Sequence, residues 1–257
     1  MSKFDNLVFF DFEVNSLTHK EPIEVCFFYK DTEMKSLFSC THPIAPEAQE
    51  VNHILESDLQ GFPKFEETKE LKVLTKLYDK GCTYVAHNLQ FDLRILAKYL
   101  NHSSYKEIPG ICTQVVAKYY ISKILKLDED SFKSYRMQYL RYYFKLDEIY
   151  NLKGVVPHRA EADVVVLKAL YDYLYTQFEL AGIEDVENFF RSLTAEYFKP
   201  QNYIIWFGKH KKRTLGEIYK DDPQYITWLE EKFEADEELA CALTEFFDYR
   251  ESLKTNV

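Results

Sequence analysis

"LVFFDFEV", residues 7–14, is an apolar run bounded by polar residues, and it reads as a buried strand except for Asp11 and Glu13. Side chains alternate along a strand, so the two acids share one face, about 7 Å apart at a rise of about 3.4 Å per residue. A bare D-x-E is also what a strand end reaching solvent would show. Burying two like charges raises the pKa of at least one and costs stability unless a cation lies between them. Oxygen-only ligands suit a hard ion, Mg²⁺ or Mn²⁺.

Working outward, two further acids break the apolar pattern. In "VAHNLQFD", residues 85–92, Asn88 is placed to cap a helix starting near Leu89, and Asp92 then shares a stripe with Leu89, Leu96 and Tyr99. Alone, Asp92 also has the plain account of a first-turn acid favoured by the helix dipole. In "PHRAEAD", residues 157–163, Asp163 shares a stripe with Ala160, Leu167 and Leu170, whereas Glu161 points elsewhere as a surface acid. His158 stands in the loop five positions before Asp163. Four carboxylates set against the hydrophobic pattern on three separate elements point to a metal cluster.

Around these residues the first half of the chain alternates strand-like segments (6–13, 23–29, 33–38, 82–87) with helical spacing (65–79, 89–100), an α/β pattern. Helices are predicted over 113–125, 135–145 and 160–180, followed by a polar, less periodic connection. The chain then divides: residues 1–180 form one domain, 181–199 connect, and 200–257 form a small α+β module. That module has its own strand, a basic turn and two capped helices, with a Thr214–Glu217 capping box and Pro223 at a first helical position. Its hydrophobic set is Ile204, Ile205, Trp206, Leu215, Ile218, Tyr225, Trp228 and Leu229.

Bulk properties bound the function. With 257 residues and 46% hydrophobic content, the chain can bury one good-sized core and a small appendage. A formal charge of −10 argues against coating nucleic acid by bulk electrostatics, though bound metals and a local basic patch can supply a positive field. No export signal or membrane span is visible, and the five scattered cysteines fit reduced thiols, so a cytoplasmic protein is expected.

The order D-x-E, H-N-x-x-F-D, H-x4-D resembles the DEDDh family of 3'→5' exonucleases over about residues 5–178. "HRAEAD" is a close match; "APEAQEVNHILESDLQGFPKF" and "CTQVVAKYY" are weaker echoes. The resemblance implies an RNase H-like fold, a central mixed sheet flanked by helices. It also implies phosphodiester hydrolysis with two divalent ions, Mg²⁺ or Mn²⁺, about 3.5–4 Å apart. Asp11 would bridge them, Glu13 and Asp163 would hold one, and Asp92 the other. His158 would act as general base, its unperturbed pKa of about 6.5 suiting neutral pH. The sister group carries a tyrosine four positions before the last aspartate; Arg159 stands there instead. Where family members often have Thr-Thr-Gly-Leu after the glutamate, this chain has Val14, Asn15, Ser16 and Leu17. Leu17 would wedge against the terminal base, and Phe91 would stack or serve as a core aromatic. Asn88 is counted with them as substrate-binding.

Two basic segments remain. "FKSYRMQYLRYYFKL", residues 132–146, interleaves aromatics with Lys133, Arg136 and Arg141, as a single-strand platform would, but Met137, Leu140 and Phe144 are spaced for a core-facing helix, with the arginines exposed. "FGKHKKRTLGEI" with "DDPQYITWL" resembles a module appended to exonuclease X-like proteins, and Lys209, Lys211, Lys212 and Arg213 would contact phosphates. The expected substrate is nucleic acid with a free 3' end, DNA favoured, and a replication or repair protein is the expected kind of partner. Exoribonuclease activity, or a silent binding subunit of the same fold, stays open on sequence alone.

Overall fold

The computed structural model describes residues 4–102, 104–128, 131–155, 159–232 and 237–255. By its internal contacts the chain divides into residues 1–191 and residues 192–257.

The first unit is built on five strands: β1 (Leu7–Val14), β2 (Pro22–Tyr29), β3 (Thr32–Leu37), β4 (Thr83–Ala86) and β5 (Gly110–Cys112), in the order β3-β2-β1-β4-β5. The β3–β2 and β2–β1 pairs are antiparallel; β1–β4 and β4–β5 are parallel. The oily run of residues 7–14 is therefore the central strand of a mixed sheet. Being covered on both faces, it needs apolar residues at odd and even positions alike.

On one face lie α2 (Lys69–Asp79) and α3 (Leu89–Tyr99). Phe10 and Phe12 meet Tyr84 and Phe65 edge to face there, and the Tyr84 hydroxyl donates to the Leu74 carbonyl of α2 at 2.6 Å. The other face is covered by α7 (Ala160–Leu180), which packs across β1 and β2. Its core joins Leu7 and Phe9 to Val164, Leu167, Tyr171 and Leu174. Short helices α1 (Pro46–Asn52), α4 (Thr113–Tyr119), α5 (Met137–Tyr143) and α6 (Leu146–Ile149) fill the connections.

Several local readings change in the tertiary setting. The strand β5 is three residues long, too short to show a period, and exists because β4 offers it an edge. It also requires a glycine: a Cβ on Gly110 would lie 2.5 Å from a methyl of Leu89 in α3. The helix expected over 113–125 ends at Tyr119 and widens into a π-type turn over Tyr120–Ile124. The connection expected over 181–199 contains α8 (Val186–Tyr197), whose buried stripe is only Val186, Phe190 and Thr194. Val186, Phe189, Phe190, Leu193 and Tyr197 recur at helical spacing, so this helix is legible in the sequence and the expected connection is corrected.

In the second unit, Ile204 and Thr214 form an isolated antiparallel bridge closing the basic turn, and α9 (Leu215–Asp221), α10 (Pro223–Lys232) and α11 (Glu237–Thr255) follow. The capping box forms: Thr214 N–H donates to Glu217 at 2.9 Å, and Glu217 N–H to the Thr214 hydroxyl at 3.2 Å. The core contains Ile205, Leu215, Ile218, Tyr225, Ile226 and Leu229, completed by Leu239, Leu243 and Phe246 of α11. Trp206 and Trp228 do not join it; both are exposed. No helix among the described residues is long and apolar enough to cross a membrane.

Candidate active site

Along β1, Leu7 and Phe9 are buried beneath α7, and Asp11 and Glu13 continue the same face toward the strand's C-terminal end. Tyr171 of α7 packs on Phe9 at 5.2 Å between ring centroids. Eight residues back along the helix, about 12 Å at its rise, the chain reaches Asp163 in the first turn. Phe9 to Asp11 or Glu13 spans about 7–13 Å along the strand, so the two rows of side chains meet. One carboxylate oxygen from each of Asp11, Glu13 and Asp163 lies within 4.8 Å of the others.

Asp92 approaches from α3. It is buried, and its Oδ1 accepts the Phe12 amide N–H at 3.1 Å, tying α3 to the β1 backbone between the two strand acids. It is not part of the three-residue convergence, but its charge acts on Asp11. Desolvation pushes the Asp11 carboxyl well above the ordinary range, and Asp92, Glu13 and Asp163 push it further. Glu13 is raised to about 8 by burial first, then by Asp163 and Glu24. Burial also raises Asp92, with the Phe12 N–H pulling the other way. All donors are oxygens, those of Asp11, Glu13 and Asp163 converge, and burial penalises the ionised forms of Asp11, Glu13 and Asp92. A hard divalent cation at that convergence would relieve these penalties, so the residues fit one.

A second set of residues holds these acids. Glu24 of β2, the register partner of Glu13, is buried and accepts the Arg159 guanidinium (Nη2 at 2.6 Å, Nε at 3.1 Å) and the Ala160 N–H at 3.1 Å. It thereby caps the start of α7 and sets where Asp163 stands. Gln138 of α5 donates to Asp163 Oδ1 at 2.8 Å, while its own carbonyl oxygen accepts from Arg141 at 3.3 Å. Arg141 is 2% exposed, which corrects the expectation that it stands in solvent; Arg136 is exposed as expected. The other Arg141 donors reach Asp147 and the Leu152 and Val155 carbonyls. His87 is half-buried, and desolvation lowers its pKa to about 4, so the ring is neutral. Its Nε2 stands 2.8 Å from the Tyr135 carbonyl, which can only accept, so Nε2 carries the proton. Of these, only Glu24 announced itself: an acid inside "PIEVCFFY" is the same anomaly as Asp11 and Glu13.

The remaining expected residues fall as follows. His158 lies outside the described residues. Leu17 is 74% exposed on the loop after β1. There Ser16, in place of glycine, keeps a negative φ, and its hydroxyl accepts the His19 N–H at 3.0 Å. Asn15, fully buried, braces the loop through Glu21 and the His42 carbonyl. Phe91 is half-buried in the first turn of α3. Asn88 occupies the position before α3 but makes no side-chain cap. Its backbone is left-handed (φ 63°), a conformation asparagine tolerates, whereas a capping side chain reaches the N2 or N3 amide from an extended backbone. In the second unit, Lys211 and Lys212 are exposed. Lys209 pairs with Asp222 at 2.7 Å and Arg213 with Asp221. Glu161 pairs at the surface with Lys35.

Comparison with known proteins agrees with this geometry. Residues 8–171 match the family model RNase_T, described as "Exonuclease", and residues 205–234 match the model "Exodeoxyribonuclease X-like C-terminal". Exodeoxyribonuclease 10 of Escherichia coli (strain K12) is 24% identical over 200 residues, 76% of each chain. The 3'-5' exonuclease DinG of Staphylococcus aureus (strain MRSA252) is 25% identical over 188 residues, 71% of this chain but only 19% of DinG. Among solved structures, apo exonuclease I superposes with a TM-score of 0.50 at 14% identity, over 76% of this chain and 47% of that one. A structure of exonuclease X in complex with 5' overhanging duplex DNA gives 0.45 at 23% identity, over 66% of this chain and 92% of that one. The fold is the RNase H-like exonuclease fold, the protein is a nuclease, and the chain belongs to the exonuclease family whose model spans its β1-to-α7 core.

Proposed function

We propose that this chain is a metal-dependent 3'→5' exodeoxyribonuclease that removes nucleoside 5'-monophosphates one at a time from single strands or frayed ends. The observation that carries the reading is the convergence of Asp11, Glu13 and Asp163 within 4.8 Å, from a strand and a helix far apart in sequence. Buried acids that repel one another cost stability that a bound cation would relieve, which disfavours a silent binding subunit. The names of the relatives, an exodeoxyribonuclease and a 3'-5' exonuclease, support the substrate and the polarity.

Asp11, Glu13, Asp92 and Asp163 would hold two divalent ions, Mg²⁺ or Mn²⁺. When bound, such ions polarise the scissile phosphate and stabilise charge on the leaving 3'-oxygen. Arg159 and Gln138 orient Glu24 and Asp163, and so fix the donor set before substrate arrives. His158 takes the proton of the attacking water. Leu17, exposed on its loop, and Phe91, in the first turn beside Asp92, hold the last nucleotides, with Asn88 three positions before Phe91. Residues 1–180 carry the catalysis, and the module of residues 200–257 adds a phosphate contact through Lys209, Lys211, Lys212 and Arg213.

Matched 3'- and 5'-labelled DNA and RNA oligonucleotides, single- and double-stranded, test the reading with Mg²⁺, Mn²⁺ or chelator. Single-stranded DNA should shorten stepwise from its 3' end, and chelator should stop it. Cleavage of a circular strand would point to an endonuclease, and faster digestion of RNA would move the assignment to an exoribonuclease. His158→Ala should keep metal binding and lose about 10²–10⁴ in rate. Parental turnover of that variant across the pH range would remove His158 as general base.

A further inference from the structure

The chain has two tryptophans, Trp206 and Trp228, both in the C-terminal unit, and neither is buried in its core. They are 61% and 41% exposed. An indole carries the largest apolar area of any side chain, and leaving two in solvent on so small a unit marks a contact surface. Trp228 stacks on Tyr225 at 5.1 Å between centroids and 29° between planes. The same tyrosine also supports the basic turn. Lys209 Nζ lies 5.1 Å from its centroid, and the His210 ring meets it edge-on at 4.7 Å. Gly208 closes over its hydroxyl so tightly that a Cβ there would lie 2.4 Å from the oxygen. Tyr225 is 8% exposed, and its hydroxyl has no hydrogen-bond partner among the described residues. Tyr225 thus joins Trp228 to the turn that carries Lys209, Lys211, Lys212 and Arg213, and Trp206 stands at the root of that turn, two residues before Gly208.

Two of the four cations are balanced internally, Lys209 by Asp222 and Arg213 by Asp221, which leaves Lys211 and Lys212 exposed for an outside anion. On a chain of net charge −10, exposed lysines beside exposed indoles suit a ligand with alternating phosphates and flat aromatic faces. We infer that this surface binds single-stranded nucleic acid, with bases stacked on Trp228 and Trp206 and phosphates on Lys211 and Lys212. The inference rests on the reading of the basic turn as a phosphate contact and adds the base-stacking half. It does not depend on hydrolysis.

Because both tryptophans lie in the C-terminal unit, the intrinsic tryptophan emission of the full-length protein reports on that unit alone. The experiment uses the Asp11→Asn chain in chelator, so that no strand is cut, titrated with oligothymidylate while binding is followed separately by anisotropy of a labelled oligonucleotide. Emission should be quenched in proportion to occupancy. Trp228→Ala and Trp206→Ala should each weaken binding roughly 5- to 150-fold, since stacking contributes about 1–3 kcal/mol per base. Trp228→Phe, which keeps a ring on Tyr225, should restore most of the loss, and it and Trp206→Ala should melt near the parental temperature. Replacing Lys211 and Lys212 by Gln should lower the logarithmic salt slope by about 0.7 for each contact. Binding that leaves the emission unchanged overturns the inference, as do Trp→Ala variants of parental affinity or equal competition by inorganic polyphosphate. Quenching by an acidic peptide where the oligonucleotide gives none would make the surface a protein-docking site instead. A chain that cuts DNA yet shows no quenching sinks this inference and leaves the proposed activity standing; one that quenches without cutting does the reverse.

Discussion

Asp11→Asn is expected to cost about 10³-fold or more in nuclease rate while the metal-free protein melts at the same temperature as the parent or higher. The rate loss follows from removing one donor from a convergent set whose role is to hold cations worth several kcal/mol to the reaction, at a tenfold change per 1.36 kcal/mol. The stability gain follows from the electrostatics. Asp11, Glu13 and Asp92 all have folded-state pKa values above the ordinary carboxylate range, burial being the largest cause in each. Below about pH 3 these carboxyls are protonated in both states, and no penalty applies. As pH rises, the unfolded chain ionises first while the folded chain keeps its protons, so stability falls. The Glu13 contribution levels off once that group ionises near 8. Asn at position 11 removes one such carboxyl and one like charge facing Glu13 and Asp92, so the decline between about pH 4.5 and 8 should flatten. Mg²⁺ or Mn²⁺ should raise the parent's melting temperature more at pH 8 than at pH 5, because it binds the ionised set. Differential scanning calorimetry in chelator and in metal, at both pH values, reads all of this. A metal-free Asp11→Asn chain melting several degrees below the parent would falsify the repulsion account, whatever its activity.

Arg141→Ala should have the largest effect on stability. The guanidinium is almost wholly buried. It donates to Asp147 Oδ1 at 2.5 Å, to the Leu152 and Val155 carbonyls at 3.0 Å each, and to Gln138 at 3.3 Å. Removing it leaves a carboxylate, two backbone carbonyls and the Gln138 amide oxygen without their donor, and breaking such a buried set costs about 3–5 kcal/mol. At about 2–4 °C per kcal/mol for a chain of this size, the melting temperature should fall by about 10 °C. Activity measured well below that transition should fall too. Arg141 donates to the carbonyl oxygen of Gln138 and so turns the Gln138 NH₂ toward Asp163. Arg141→Lys keeps the charge but loses the planar fork, and should recover only part of both losses. If Arg141→Ala melted within about 1 °C of the parent, the hub would be dispensable, and the placement of Asp163 would have to rest on Glu24 and α7 alone.

The amino-acid sequence by itself determined what depends on near neighbours. Alternation along residues 7–14 put Asp11 and Glu13 on one face, and the 3.6-residue period put Asp92 and Asp163 on the buried stripes of their helices. Thr214 and Glu217 are three residues apart, so their capping box could be read directly. The family resemblance added the order in which these pieces are used. What only the tertiary structure decided is whatever depends on the residue opposite. Glu24 gains its place from Glu13 across the sheet and from Arg159, 135 positions later. Arg141, which a helical wheel puts toward solvent, is buried because α6 and residues 152–155 fold over it. Strand β5 exists only beside β4, and Asn88 loses its capping role to a left-handed backbone. Trp206 and Trp228, counted as core on hydrophobicity, were left outside when α11 supplied Leu239, Leu243 and Phe246 to the core. Hydrophobicity states how much a residue gains from burial, but packing against distant segments decides which residues the available volume admits.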